Sequence, residues 1–226
     1  ADGNLPVGGS SGRKGPDLGD VDNDGNDELS FINSEGGISV WKWNAGNNWT
    51  SFSNYLPPTG LNESTQICDM NMDGFADITV FGTGFINLWL GDGIGNWTLA
   101  TQFSLPWPGY SQALRVDGDA DHNGYPDIVL VSNEGNWPSD QNHLRFFKEN
   151  SAADSLNIIP VYPGSNRKIN VTSVQTIKWI SEVPSGDSCW VKLELSINDT
   201  IGPWYLIEDG LPNNGNYQWS VPENMA

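Results

Sequence analysis

The sequence predicts an all-β protein in which β-propeller blades are followed by a β-sandwich. Three observations support this fold class. The chain contains 26 Gly and 14 Pro among its 226 residues, which interrupts it too often for long helices. A polar motif recurs about every 50 residues over roughly the first two thirds of the chain. Beyond about residue 157 the motif disappears, and short segments with alternating apolar residues take its place.

The repeat consists of three similar segments that start at Asp20, Asp69 and Asp119, which are 49 and 50 residues apart. Each continues into an apolar segment and then a second one, and the first two copies add a Gly/Asn-rich turn and a further strand. Three or four short strands with tight turns, repeated near 50 residues, are typical of propeller blades. We place these blades near residues 10–60, 61–110 and 111–150 of a first domain that spans residues 1–152.

Each repeat opens with oxygen-bearing side chains at positions 1, 3, 5 and 9 and a glycine at position 6. Alternate residues of such a loop can aim their oxygens at Ca²⁺, which takes six to eight oxygen ligands at about 2.3 to 2.6 Å. The glycine takes the turn of positive φ, and the backbone carbonyl of position 7 adds a ligand. We therefore predict three Ca²⁺ sites, with the ligands Asp20, Asp22, Asp24, Asn26 and Glu28; Asp69, Asn71, Asp73, Phe75 and Asp77; and Asp119, Asp121, Asn123, Tyr125 and Asp127.

Loops of two other kinds have a similar composition. An EF-hand is excluded because its closing acid stands at position 12 and leads into a helix, whereas here the acid at position 9 leads into an apolar strand. A turn without an ion is the simpler alternative, since Asp, Asn and Gly favour turns generally. Three copies in register favour the ion, and so does the repulsion between carboxylates placed this close together.

The three motifs resemble the FG-GAP, or VCBS-type, repeats of integrin-α-like β-propellers, over roughly residues 5–150. Phe81 and Gly82 are the closest remnant of the Phe-Gly box of these repeats. The resemblance implies structural Ca²⁺ between the strands of a blade and an extracellular or cell-surface location. It also implies an adhesive or recognition role, and it does not imply catalysis.

A second domain is predicted over residues 153–226. The apolar residues of the segment 189–197 fall on one face, and short strands separated by Gly/Pro turns are typical of a β-sandwich. The order of the segments, including 176–179 and 217–222, resembles the Kre9/Knh1-like Ig-like modules of secreted surface proteins. Those modules usually continue with a further strand, so we expect this domain to be truncated at its C-terminal end.

The first residues of the chain suggest how the blades are completed. Residues 4–9 parallel residues 54–60 and 103–106, which end one repeat and lead into the next. We therefore expect the chain to begin in the last strand of a blade. Because closed propellers have at least about four blades, we expect completion by residues beyond this sequence or by further copies of the chain in a surface assembly.

The net charge and the absence of known motifs limit the classes of function. The chain carries 28 acidic and 10 basic residues, a formal charge of -18, which argues against nucleic acids and anionic membranes as partners. No apolar run approaches the ~18 residues that span a bilayer, so we expect no direct membrane insertion. His122 and His143 are the two histidines, and no catalytic motif accompanies them. We therefore predict that the chain is not an enzyme.

Trp137 is the predicted ligand contact. It lies in an insertion, residues 134–143, which mixes an aromatic side chain with amides and acids, as loops that bind carbohydrate or protein do. A tolerated surface insertion is the alternative. Five Asn-x-Ser/Thr sequences are candidate glycosylation sites, at Asn48, Asn62, Asn96, Asn170 and Asn198.

Together these features predict a calcium-stabilised extracellular or cell-surface glycoprotein with an adhesive, recognition or structural role. Its partner would be a protein, a glycan or further copies of the same chain. The alternative from another class is the accessory part of a secreted polysaccharide-degrading enzyme, with its active site elsewhere in the precursor or in the blade loops.

Overall fold

The computed structural model describes residues 4–6, 8, 15–44, 48–164, 167–198 and 201–225 of the chain. These residues form β-strands joined by turns, with one short 3-10 helix at Glu223–Met225 and no α-helix, which confirms the all-β prediction. The fold has two compact units, Ala1–Ala120 with Pro126–Glu149, and Asp121–Tyr125 with Asn150–Ala226. No helix among the described residues is long and apolar enough to cross a membrane.

The described residues of the first unit form three antiparallel sheets, and each corresponds to one predicted repeat. The first has the order β1-β2-β3-β4 and the second β5-β6-β7-β8, while the third has three strands in the order β11-β10-β9. The predicted turn at residues 45–47 and the start of the first repeat at 9–14 lie outside the described residues. The strands are β1 (Asp17–Gly19), β2 (Glu28–Ile32), β3 (Ile38–Asn44), β4 (Asn48–Ser51), β5 (Asn62–Cys68), β6 (Asp77–Gly82), β7 (Phe85–Gly91), β8 (Trp97–Ser104), β9 (Gly109–Gly118), β10 (Asp127–Glu134) and β11 (Gln141–Phe147).

The apolar cores of this unit draw on neighbouring sheets. One buried cluster combines Ile32 and Val40 of the first sheet with Ile78 and Val80 of the second. A second cluster combines residues of the second sheet, among them Phe81, with residues of the third. Burying one such side chain contributes about 1.5 to 3 kcal/mol. The strand that follows each acidic loop thus packs against a neighbouring sheet, and this fixes the end of the loop.

The third hairpin differs from the predicted one. Residues 134–143 were expected to form an inserted loop, but β10 and β11 continue their pairing through Glu134 and Gln141, so only residues 135–140 connect them. The Arg145 guanidinium forms two hydrogen bonds with the Glu134 carboxylate across the hairpin. This ion pair lowers the pKa of Glu134. Four of the ten residues, 134 and 141–143, therefore extend the hairpin strands, and the other six connect them.

The second unit contains two further sheets, one of three strands in the order β12-β13-β16 and one of two strands, β14-β15. Trp179, Val191 and Trp219 are among its buried side chains. The resemblance to an Ig-like module and its truncation stay predictions. The strands are β12 (Asn157–Tyr162), β13 (Val174–Glu182), β14 (Trp190–Ser196), β15 (Trp204–Pro212) and β16 (Asn216–Ser220).

Candidate metal centres

The three acidic loops adopt the same backbone conformation. The residue at position 4 and the glycine at position 6 both have positive φ angles, a conformation that favours glycine and, among other residues, Asn. The angles at position 4 are 57° for Asn23, 59° for Met72 and 56° for His122. Those at position 6 are 89° for Gly25, 92° for Gly74 and 93° for Gly124. The repeated sequence therefore encodes one turn geometry three times.

Carboxylate and amide oxygens stabilise this turn by accepting hydrogen bonds from its own backbone. At position 1, Asp20 accepts from the N–H groups of Asp24 and Gly25 at 3.1 and 2.9 Å, and Asp69 accepts from the two corresponding groups at 3.1 and 2.8 Å. At position 5 the side-chain oxygen accepts from the N–H of position 7 in every copy. The three pairs are Asp24 with Asn26 (2.8 Å), Asp73 with Phe75 (2.9 Å) and Asn123 with Tyr125 (3.0 Å).

The acid at position 9 ties the start of each loop to the strand that follows. Glu28, Asp77 and Asp127 are the first residues of β2, β6 and β10, and all three are buried. Each accepts a hydrogen bond from the N–H of position 2. The donors are Val21 (2.9 Å), Met70 (2.8 Å) and Ala120 (2.8 Å). Removal of Glu28 or Asp77 would leave the N–H of a buried residue, Val21 or Met70, without this partner.

The first loop differs from the other two in the hydrogen bonding of the second carboxylate oxygen of this acid. Asp77 uses it to accept from the Gly91 N–H at 3.0 Å, and Asp127 uses it to accept from the Glu149 N–H at 3.1 Å. In Glu28, which is 1% exposed, Oε1 has no hydrogen-bond partner among the described residues. The same is true of Oδ1 of Asp22. Buried polar atoms in proteins nearly always have partners, so this pair of oxygens fits a bound cation.

Two of the closing acids have raised pKa values. Burial raises the pKa of Glu28 to about 7, and the negative charge of Asp22 contributes to this rise. The hydrogen bond from the Val21 N–H acts in the opposite direction. Burial also raises the pKa of Asp77 to about 7, against the hydrogen bonds from Gly91 and Met70. Near neutral pH these side chains are therefore costly to ionise without a positive charge nearby. A cation in the loop would offset that cost.

Carboxylates converge in two of the three loops. Oxygens of Asp20, Asp22 and Glu28 all lie within 4.8 Å of one another, and so do oxygens of Asp119, Asp121 and Asp127. Within the described residues the second loop forms no such group. There Asn71 stands at position 3, and its amide donates to Asp73 at 2.9 Å. Hard oxygen ligands of this kind suit Ca²⁺ or Mg²⁺ rather than softer metals.

Lys42 is a member of the first site that the sequence motif did not reveal. Its ammonium donates to Oδ2 of Asp22 and, at 2.6 Å, to Oδ2 of Asp24. Burial lowers the pKa of Lys42, but these two hydrogen bonds outweigh that effect and raise it overall. The hydrogen bond from Lys42 lowers the pKa of Asp24. The hairpin register, in which Leu29 pairs with Trp41, is the signal that could have placed Lys42 near the loop.

His122 lies at position 4 of the third acidic loop, and His143 lies in the β10–β11 hairpin. Nδ1 of His122 lies 3.0 Å from the Ser181 hydroxyl, and its carbonyl accepts a hydrogen bond from the Val183 N–H at 2.8 Å within the second unit. His143 pairs with Ser132 in the β10–β11 hairpin.

Trp137, the predicted ligand contact, is 87% exposed in the turn between β10 and β11. Trp107, which the sequence did not single out as a contact, is 68% exposed. The Gly135 N–H donates to the Pro108 carbonyl at 3.3 Å, so the turns that carry the two indoles are neighbours.

The candidate glycosylation sites differ in their accessibility. Asn62 is 3% exposed, and its Nδ2, the atom that would carry the sugar, donates to the Gly36 carbonyl at 2.8 Å. In the folded chain this nitrogen is therefore engaged with the backbone, and modification of Asn62 stays a prediction. Asn48, Asn170 and Asn198 are exposed and Asn96 is half-buried, while Asp199 and Thr200 of the last sequence lie outside the described residues.

Comparison with known families identifies the repeat. A family model described as the FG-GAP-like repeat matches residues 20–80 and 69–130. Each match begins at the first aspartate of an acidic loop and runs into the strand after the next loop. The family model therefore finds two FG-GAP-like repeats in these residues, whereas the motif predicted three, and the third stays a prediction. A search of curated proteins finds no match to the chain.

Proposed function

We propose that these FG-GAP-like repeats form the calcium-stabilised scaffold of an extracellular or cell-surface protein with an adhesive, recognition or assembly role. FG-GAP-like repeats are typical of proteins at that location. The observation that carries the calcium assignment is the buried Glu28 carboxylate, whose Oε1 has no hydrogen-bond partner among the described residues.

The chemistry of the loop suits a divalent cation. Asp20, Asp22 and Glu28 bring oxygens within 4.8 Å of one another, and an unpaired buried acceptor costs about 1 to 3 kcal/mol. Ca²⁺ would supply positive charge and bonds to oxygens that lack partners. The first ion would be held by Asp20, Asp22, Asp24, the Asn26 carbonyl and Glu28. The corresponding positions of the second and third loops would hold the other two.

The role of such an ion is structural. Positions 1 to 7 form the turn, and position 9 is the first residue of a strand packed in the blade core. An ion held by both parts would stabilise the folded state by RT ln(1 + [L]/Kd), which is about 2.7 kcal/mol at a hundredfold excess over Kd. For a chain of this size that corresponds to a rise in melting temperature of about 5 to 10 °C.

Thermal unfolding in CaCl₂ and in EDTA tests the proposal. We expect a higher melting temperature in CaCl₂ and a smaller difference for Asp73→Ala, which removes one predicted ligand. Asp187→Ala is the matched control, because it removes an exposed acid outside the loops. Equal melting temperatures of the unmodified chain in CaCl₂ and in EDTA would contradict a structural ion.

The exposure of Trp107 and Trp137 favours one recognition role, which is contact with a glycan. The indole of Trp97, which recurs with the repeat, is buried, whereas these two are among the exposed apolar side chains. Exposed aromatic rings with polar tips are common at contact surfaces. The same contact would serve the alternative function, the accessory part of a polysaccharide-degrading enzyme.

Binding to a panel of soluble polysaccharides tests this contact. Trp137→Ala should reduce binding at least severalfold with little change in melting temperature, because an exposed side chain contributes little to the core. Trp190→Ala, which removes another exposed indole, is the control. Unchanged binding in Trp137→Ala, or a large loss of stability, would show that Trp137 is not a ligand contact.

Assembly with further copies remains the third proposed role. The strand β11 is at the edge of its sheet, and its side chains Leu144 and Phe146 are exposed. Exposed apolar edge strands tend to pair with other chains. Light scattering in CaCl₂ should give a mass above 24.7 kDa that Leu144→Lys lowers. A monomer at all concentrations would rule out self-assembly of this chain.

A further inference from the structure

The position of Lys42 follows from the register of the first hairpin. Leu29 follows the closing acid Glu28 and pairs with Trp41, so the next residue of β3 stands beside the end of the acidic loop. The Lys42 ammonium reaches the carboxylates of Asp22 and Asp24, and about a fifth of its side chain is exposed. Lys42 is therefore part of the loop structure rather than a solvated surface cation.

The ammonium uses oxygens that the proposed ion would need. Asp22 and Asp24 stand at positions 3 and 5, which are predicted Ca²⁺ ligands. Opposite charges in contact attract, and the ammonium repels a second cation at the same carboxylates. An ion that enters this loop must displace Lys42 or bind beside it, and either event weakens binding.

The second and third repeats provide an internal comparison. Ile78 pairs with Trp89, so the residue that corresponds to Lys42 is the uncharged Leu90. In the third repeat Ile128 pairs with Phe147, and the next residue is Lys148. A lysine thus stands at this register position in the first and third repeats, where carboxylate oxygens converge, and a leucine in the second.

We propose that Lys42 acts as an internal counter-ion that lowers the Ca²⁺ affinity of the first loop below that of the second. This inference rests on the proposed calcium-binding function. Lys42 also keeps the first loop folded at Ca²⁺ concentrations too low to fill it, because the ammonium partly neutralises the carboxylates. The second loop has Leu90 at the corresponding position and depends more strongly on the ion.

Calorimetric titration of the full chain with CaCl₂ tests this role. Lys42→Met keeps the length of the side chain and removes its charge. We expect it to tighten the weakest site about tenfold or more, equal to about 1.4 kcal/mol. Leu90→Lys should weaken one of the tight sites by a similar factor. Lys192→Met is the matched control, because it removes an exposed lysine of β14 that pairs with Glu194, and it should leave all sites unchanged.

Thermal unfolding in EDTA provides a second readout. Lys42→Met should lower the melting temperature there, since Asp22 and Asp24 lose their partner, and CaCl₂ should restore it. If Lys42→Met does not fold, Lys42→Gln and the reciprocal Leu90→Lys carry the test.

The outcomes separate the two claims. Calcium binding by the unmodified chain, with affinities that the lysine variants leave unchanged or that Lys42→Met weakens, would overturn the counter-ion role and leave the proposed function standing. Absence of calcium binding in the unmodified chain and in every variant would overturn both.

Discussion

The first and second acidic loops share a backbone conformation and differ in how their carboxylates are satisfied. In the second loop, Asp77 accepts hydrogen bonds from the N–H groups of Met70, Asn71 and Gly91. In the first loop, Glu28 accepts one hydrogen bond from the described residues, that of the Val21 N–H, while the Lys42 ammonium neutralises the neighbouring acids. A turn motif therefore fixes the geometry of a loop, whereas residues outside the motif determine its charge balance.

Replacement of the closing acids Glu28 and Asp77 by their amides should give the largest difference in stability between the first and second loops. Both carboxylate oxygens of Asp77 accept hydrogen bonds from backbone N–H groups. In Asp77→Asn the NH₂ group replaces one of these oxygens and faces an N–H donor, which costs about 1 to 3 kcal/mol of stability. In Glu28→Gln the NH₂ can take the place of Oε1, which has no partner among the described residues, so we expect a change of about 0.5 kcal/mol or less. Urea unfolding in EDTA measures both variants. Equal losses of stability would show that the two acids are held alike.

The raised pKa values of the same two acids should make the stability of the metal-free chain depend on pH. Their pKa values rise from 4.5 for Glu28 and 3.8 for Asp77 to about 7 in the folded state. The folded chain then binds more protons than the unfolded chain between about pH 4 and pH 7, so stability falls as pH rises through that window. We expect a lower melting temperature in EDTA at pH 7.5 than at pH 5.5, with a smaller drop in Glu28→Gln.

Two controls sharpen the pH experiment. Saturating CaCl₂ should reverse the trend, since the ion stabilises the ionised carboxylates. Glu149→Gln, which replaces an acid outside the loop motif, should leave the drop unchanged. A melting temperature in EDTA that rises between pH 5.5 and pH 7.5 would contradict the assignment of these acids.

Substitution at position 5 should give the smallest difference in stability between the first and second loops. The third loop has Asn123 there with the same hydrogen bond to position 7, so an amide preserves the turn. Asp24→Asn in EDTA should cost about 0.5 kcal/mol, because a partly exposed ion pair with Lys42 is lost. Asp73→Asn loses no ion pair among the described residues, only the exposed hydrogen bond from the Asn71 amide, and should change stability by about 0.3 kcal/mol or less. An identical effect of the two substitutions would show that the Lys42 contact contributes nothing to stability.

The structural features that depend on residues close together in the chain could be predicted from the sequence. The positive φ of Gly25, the turn hydrogen bonds and the strand that begins at each closing acid all follow from residues within the nine-residue motif. The recurrence of that motif also predicted the blades, because each copy forms its own antiparallel sheet.

Contacts between distant residues were beyond such local patterns. Lys42 reaches Asp22 through the pairing of β2 with β3, and Asp77 meets Gly91 only after β7 has returned to the loop. Asn62 matches a glycosylation motif, yet its amide group bonds to Gly36, 26 residues earlier. Each of these contacts requires a strand register, which a single sequence specifies only weakly.

Crystals equilibrated at low and at saturating Ca²⁺ would show whether the second loop binds its ion before the first loop does. We predict an ion in the second loop at the lower concentration, with oxygen ligands at about 2.3 to 2.6 Å. The first loop should gain its ion only at the higher concentration, with Nζ of Lys42 moved away from Asp22 and Asp24. Loops that stay free of ions at saturating Ca²⁺, or a first loop that fills before the second, would contradict the account.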